Sequence, residues 1–293
     1  MTIPRRNRVD LHCHTSRSDG VLAPTELLAA MRRWGIAVAA ITDHDTLDGY
    51  RELRAAGEDE GHPRLVSGVE INSVAHDIPG LWEGELHILG YGMDPDDPSL
   101  ELALASQRRR RAERAAMIVA RLRELGMPVD DRLPDTLGPG VRSPGRPHIA
   151  RALVAGGYAE SVDDAMTRIL ARGMPGYVPR QGLGPREAID AIRAAGGIAS
   201  LAHFREAPER PEVIAQLRDW GLGGLEAYYV TFDEETRGRV AAVAAEFGLL
   251  ATGGSDFHGD TWSYEETQAL CHVPDEVADV LLATLAAPLA GRR

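Results

Sequence analysis

Short apolar runs in this chain end repeatedly in histidine or a carboxylate. His12 and His14 close the first run, Val9-Asp10-Leu11-His12-Cys13-His14, and Asp19 follows in Ser18-Asp19-Gly20. His44 stands just past residues 37–41, in Thr42-Asp43-His44-Asp45. Glu70 ends the run over 65–71, and His87 lies within the run over 85–91. His203 closes residues 197–202, and Asp256 and His258 follow residues 249–253. A run over 224–228 brings the strands to about seven. Helices are predicted over 24–34, 47–57, 185–195, 210–220, 233–247 and 274–287. Strand, helix, strand at this spacing predicts parallel pairing through crossover connections. In a barrel of parallel strands the C-terminal ends converge on one mouth. Groups more than two hundred residues apart then meet in space. Six of the ten histidines sit at or beside such ends, which isolated structural histidines do not explain.

Side chains at i and i+2 of a strand share a face. His12 and His14 are therefore placed side by side as metal ligands. Cys13 between them points the other way and reads as a small buried filler.

Between the fourth and fifth runs the rhythm breaks at Asp94-Pro95-Asp96-Asp97-Pro98. A long helix over 99–125, a Pro- and Gly-rich stretch from Met127 to Pro147, and helices over 148–156 and 161–172 follow. The expected organisation is a barrel from residues 1–94 and 183–293, with 95–182 as a helical insertion that helps bind substrate. Arg108–Arg111 point around their helix and read as a solvated, salt-bridged face. Arg142, Arg146 and His148 lie near a helix start, a favourable place for an anion. Arg180 sits in a constrained loop, and arginine forks suit phosphate oxygens. Tyr228, Tyr229, Trp82 and Trp262 are able to stack a base or to pack in a core.

The 293 residues, 44% of them hydrophobic, suffice for one large core. No apolar run is long enough to span a bilayer, and no apolar segment precedes Asp10 as a signal peptide requires. Two cysteines, Cys13 and Cys271, give no disulfide framework, so a cytoplasmic location is expected. A net charge of −12 argues against coating long duplex nucleic acid. A small anionic substrate is still compatible, because metal ions supply a local positive field.

The chain resembles the PHP family, named for polymerase and histidinol phosphatase. The residues that carry the resemblance are Asp10-Leu11-His12-Cys13-His14, Ser18-Asp19-Gly20, Ile41-Thr42-Asp43-His44-Asp45, Gly68-Val69-Glu70, His87, Ala202-His203 and Ser255-Asp256-Phe257-His258. The resemblance implies an α/β fold, a distorted (β/α)7 barrel, and usually three metals. One would be held by His12, His14, Glu70 and Asp256. A second would share Glu70 and use His87 and His203. A third would use Asp19, His44 and His258. Mixed imidazole and carboxylate donors suit two or three divalent transition ions, Mn²⁺ foremost, with Fe²⁺ or Zn²⁺ as alternatives. The implied reaction is attack of a metal-bridging hydroxide on phosphorus. Glu70 would bridge the ions, and His203 or His258 would protonate the leaving alkoxide while also serving as a ligand.

Gly-Arg-Pro-His at 145–148 and Tyr-Val-Pro-Arg at 177–180 resemble elements of a PHP branch acting on 3′,5′-nucleoside bisphosphates and short RNA 5′ ends. The expected function is hydrolysis of the 3′-phosphate of such a bisphosphate. No membrane and no obligatory protein partner is expected. A histidinol phosphate phosphatase would need acidic groups around a cationic amine, where this chain offers Arg142, Arg146 and Arg180. A non-catalytic PHP module should have lost ligands that this chain keeps.

Overall fold

A computed structural model describes residues 8–58, 62–75, 78, 85–137 and 140–287. Seven strands follow one another around a single sheet in chain order. They are β1 (Val9–Asp10), β2 (Val38–Ile41), β3 (Arg64–Val74), β4 (Glu85–Tyr91), β5 (Ile198–Leu201), β6 (Gly224–Tyr229) and β7 (Leu250–Gly254). The sheet's two ends meet. The Leu11 N–H donates to the Gly253 carbonyl at 3.2 Å, and the Asp256 N–H donates to the His12 carbonyl at 2.7 Å. The result is a nearly closed barrel.

Pairing is parallel except around β4, which runs antiparallel to both β3 and β5. This corrects the expectation of parallel pairing between the third and fourth runs. Only residues 75–84 separate β3 from β4, and a parallel return needs a crossover of about a dozen residues or more. The reversal has a consequence for the site. The beginning of β4, not its end, lies at the mouth, with Glu85 opposite Val74 and His87 opposite Asn72.

Helices α1 (Pro24–Trp34) and α2 (Asp48–Ala55) connect the first three strands. After β4 come α3 (Pro98–Glu124), α4 (Leu133–Thr136), α5 (Arg146–Ala155) and α6 (Val162–Asp164), which runs into a π-helical turn at Ala165–Ile169. The later crossovers carry α7 (Pro185–Ala194), α8 (Pro211–Asp219) and α9 (Glu234–Glu246), and the chain closes with α10 (Tyr264–Leu270) and α11 (Asp275–Ala286). Helices α4 and α10 fall where the sequence predicts no helix, and each has seven residues or fewer.

Strand β2 is buried along its whole length, as a covered parallel strand should be. Ala39 and Ile41 join Leu27, Leu28 and Met31 of α1 in one cluster. Val38 and Ala40 face the other way, into a cluster with Leu11, Leu89 and Tyr91 that Val277 and Leu281 of α11 help to close. A separate apolar cluster is made wholly of residues between Ala115 and Val178.

Helix α3 ties that cluster to the barrel. Asp97 caps it by accepting the N–H groups of Ser99 and Leu100, and Pro98 follows at the first turn. Its 27 residues make a rod about 40 Å long. Leu100 and Leu104 pack on the barrel, and Ile118, Val119 and Leu122 pack in that separate cluster. Among the described residues no helix is long and apolar enough to cross a membrane.

Candidate metal centre

His12 and His14 share a face beyond the end of β1, while Cys13 turns into the α1 cluster and its Sγ lies 3.2 Å from the Ala40 carbonyl. Glu70 stands at the centre of the site. Its Oε2 lies 3.4 Å from His12 Nε2, 3.2 Å from His14 Nε2 and 3.0 Å from His44 Nδ1. Its Oε1 lies 2.7 Å from His87 Nδ1 and 3.3 Å from His203 Nε2. Asp256 Oδ1 is 3.3 Å from His12 Nε2 and 3.1 Å from His14 Nε2. Asp19 closes the far side, 3.6 Å from His44 Nε2 and 3.4 Å from His258 Nε2.

All nine groups expected from the scattered motifs thus meet in one cage. Three sets of donor atoms lie within 4.8 Å of one another: His12, His14, Glu70 and Asp256; Glu70, His87 and His203; and His14, Asp19, His44 and His258. The third set includes His14 in addition to the three residues expected.

Buried polar atoms test whether these groups suit metal ions. His12 Nε2, His14 Nδ1, Asp19 Oδ1 and Glu70 Oε2 are buried without a hydrogen-bond partner, a costly arrangement unless a cation satisfies them. Burial alone would raise Glu70, but His44, His87 and His12 hold its carboxyl well below the usual range. Against the same cost of burial, Glu70 pushes His87 up to about 9, and Asp19 and Asp256 push His258 up to about 10. His44, dominated by burial, falls to about 3. Ionised carboxylates interleaved with imidazole nitrogens, without thiolate, fit divalent transition ions.

Residues around the cage fix the ligands. Glu226, with no exposed surface, accepts from His12 Nδ1 at 2.9 Å and from the His203 N–H at 2.8 Å. Its contact assigns the proton to Nδ1 and turns Nε2 inward. Asn72 Nδ2 donates to His44 Nδ1 at 2.9 Å, and the Tyr229 hydroxyl donates to Asp256 Oδ2 at 2.8 Å. Asp43 pins the loop carrying Asp19 through Thr15 and Ser18, and Asp10 pins the loop carrying Asp256 through Ser255, Tyr264 and Gln268. His203 and Asp256 hold left-handed backbone, with φ of 34° and 47°, a strain that surrounding contacts must hold in place. Nothing in the sequence alone singles out Glu226 as a residue of the site. It is a lone carboxylate within an apolar strand.

The cage forms the floor of a cavity of about 630 Å³ whose wall includes Arg111, Arg146, Arg180, Tyr229 and Trp262. Arg146 and Arg180, two of the residues expected to bind substrate, stand at this wall. Arg142 and His148 do not line it. Arg142 is 58% exposed and binds Asp48 at 2.9 Å. His148 is buried in α5, where its Nδ1 accepts the Gly145 N–H at 3.1 Å and burial drives its pKa down to about 4. The ring caps a helix start.

The expectation of a solvated face at Arg108–Arg111 holds for Arg109 and Arg110, which are exposed, and fails at Arg111. Arg111 is buried, with Nη2 3.3 Å from Asp19 Oδ2 and Nη1 3.7 Å from Asp45 Oδ2. Four consecutive helical residues cover a full turn, so one of them must face the barrel. Tyr228 packs against the core, Trp262 is half exposed on the rim, and Trp82 lies outside the described residues.

Comparison with known proteins agrees with this geometry. The PHP domain profile matches residues 10–128. A 5′-3′ exoribonuclease of Haemophilus influenzae is 35% identical over 260 residues, which cover 86% of this chain and 90% of that protein. A 3′,5′-nucleoside bisphosphate phosphatase of Chromobacterium violaceum is 35% identical over 259 residues, covering 85% of this chain and 87% of that protein. A crystal structure from Bifidobacterium adolescentis, provisionally described as a metal-dependent phosphoesterase, superposes with a TM-score of 0.81 at 32% identity. The superposition covers 97% of this chain and 98% of that one.

Proposed function

The chain belongs to the PHP family of metal-dependent phosphoesterases, and on that premise we propose that it removes the 3′-phosphate of 3′,5′-nucleoside bisphosphates. Conversion of 3′-phosphoadenosine 5′-phosphate to AMP is the representative reaction, and trimming of short RNA from its 5′ end uses the same chemistry. The observation that carries this reading is that the cage and three arginines share one cavity. A substrate with two phosphates fills both halves.

Two or three divalent ions, Mn²⁺ foremost, are held by His12, His14, Glu70 and Asp256, by Glu70, His87 and His203, and by Asp19, His44 and His258 with His14 close by. When bound, such ions supply Lewis acidity toward phosphoryl oxygens and bring water's acidity near neutrality. Arg146 and Arg180 bind the phosphate that is not cleaved, with Arg111 between them and Asp19. His203, the most exposed imidazole of the cage at 29%, meets the substrate at the open side. All three arginines belong to residues 95–182, which makes the insertion the source of substrate selection on a barrel formed by 1–94 and 183–293. A cytoplasmic location, where nucleotides are available, completes the proposal.

Three guanidinium groups at the wall disfavour the cationic amine of histidinol phosphate. A full set of nine converging ligands disfavours a purely structural PHP module. A panel of phosphate esters assayed with added Mn²⁺ tests the proposal. Adenosine 3′,5′-bisphosphate should exceed both histidinol phosphate and an aryl phosphate in kcat/KM by about tenfold or more, the worth of one charge-assisted contact. Histidinol phosphate as the best substrate would replace this assignment.

A further inference from the structure

Glu85 is used by none of the chemistry described so far, yet more arginines meet at it than at any catalytic carboxylate. It opens β4 two residues before His87, so the two side chains stand on the same face of one strand. Three guanidinium groups reach it from three separate parts of the insertion. Arg146 Nη2, at the start of α5, lies 3.1 Å from Glu85 Oε2. Arg114 Nη1, from α3, and Arg180 Nε, from the loop before α7, each lie 3.4 Å from Oε1. Arg114 is held further by donating its Nε–H to the Val178 carbonyl at 2.9 Å.

One carboxylate facing three guanidinium groups leaves a surplus of positive charge. It also leaves donors over. Arg180 Nη1 and Arg114 Nη2 are buried without a hydrogen-bond acceptor, and Arg180 Nε meets Glu85 Oε1 only as an ion pair at 3.4 Å. Arg180 and Arg146 line the cavity, and Arg114 lies behind them. Without a shared anion, three like charges on three elements would spread apart.

The geometry points to Glu85 as the positioning residue of the anion-binding wall. Its carboxylate gathers Arg146 and Arg180, with Arg114 behind, so that the two guanidinium groups lining the cavity are held together for the phosphate group that is not cleaved. Because Glu85 and His87 belong to one strand, the wall is held at a fixed distance from the cage. This role rests on the bisphosphate reading above, and the wild-type enzyme tests that reading separately.

The experiment compares wild type, Glu85→Gln and Glu85→Asp, each with Mn²⁺, on adenosine 3′,5′-bisphosphate and on an aryl monophosphate. Thermal melting of each variant accompanies the kinetics. Glu85→Gln should raise KM for the bisphosphate about tenfold more than KM for the aryl ester, with kcat on the bisphosphate changed less than about threefold, as expected when a charged binding contact is lost. If Glu85→Gln does not fold, Glu85→Asp carries the comparison. Its shorter side chain cannot reach all three arginines, and the KM difference between the two esters should be about threefold. Equal KM changes on both esters, no change, or a loss confined to kcat overturns the assignment. A wild type with no preference for the bisphosphate overturns instead the reading on which the assignment rests.

Discussion

Glu226 shows at the residue scale how a group that touches no substrate shapes the site. Its two oxygens bind the ring of His12 and the backbone of His203, which belong to different donor sets. Removing its charge leaves every ligand in place but frees the His12 ring to turn and lowers its basicity. Such outer contacts are worth roughly 10–100-fold in metal affinity. Glu226→Gln should therefore weaken Mn²⁺ binding by about that factor, read by calorimetric titration of chelator-treated protein. Unchanged affinity would show that the His12 ring is fixed by packing alone. The cage residues themselves were legible in the sequence because each one lies in, at the end of, or shortly after an apolar run. Glu226 was not, since a carboxylate inside such a run gives no sign of what it faces until strand neighbours are known. Arg111 was hidden for a related reason: which of four consecutive arginines turns inward depends on the face α3 lays on the barrel.

At the scale of elements, the seam between β1 and β7 brings the first and last ligands together. Gly254 makes the approach possible, because a Cβ there would lie 2.4 Å from the backbone nitrogen of His12 and 2.5 Å from its Cβ. Neither atom is free to move, since the His12 carbonyl is held by the Asp256 N–H across the same seam. Gly254→Ala must push the strands apart at the cage. The cost of such overpacking is about 1–3 kcal/mol, and at about 2–4 °C per kcal/mol for a large domain Tm should fall several degrees. Scanning calorimetry checks this, and a Tm equal to wild type would mean the seam is looser than its hydrogen bonds indicate. Strand positions were readable from apolar runs, but the direction of β4 was carried only by the shortness of residues 75–84. Helices α4 and α10 have too few residues to show a hydrophobic period, so their existence depends on tertiary contacts the sequence does not display.

For the whole molecule, the cage acts as a cross-link. Its residues come from within β3 and β4 and from the ends of, or loops after, β1, β2, β5 and β7, and Glu226 adds β6. The chain as a whole carries a charge of −12, so a positive field for an anionic substrate must be local, from Arg111, Arg146 and Arg180 at the cavity and from any ions the cage would hold. Ions that bind the assembled cage and not the unfolded chain stabilise the fold by mass action, by about 2.7 kcal/mol at a hundred times Kd. For a chain of this size that corresponds to a rise in Tm of about 5–10 °C. Chelator-treated protein titrated with Mn²⁺ should show Tm climbing with the logarithm of ion concentration. A surface ion effect could imitate a small rise, and His14→Ala separates the two. His14 belongs to two of the three donor sets, so its loss should remove most of the Mn²⁺-dependent shift. A variant that keeps the full shift would mean the ions stabilise the protein from somewhere other than this cage.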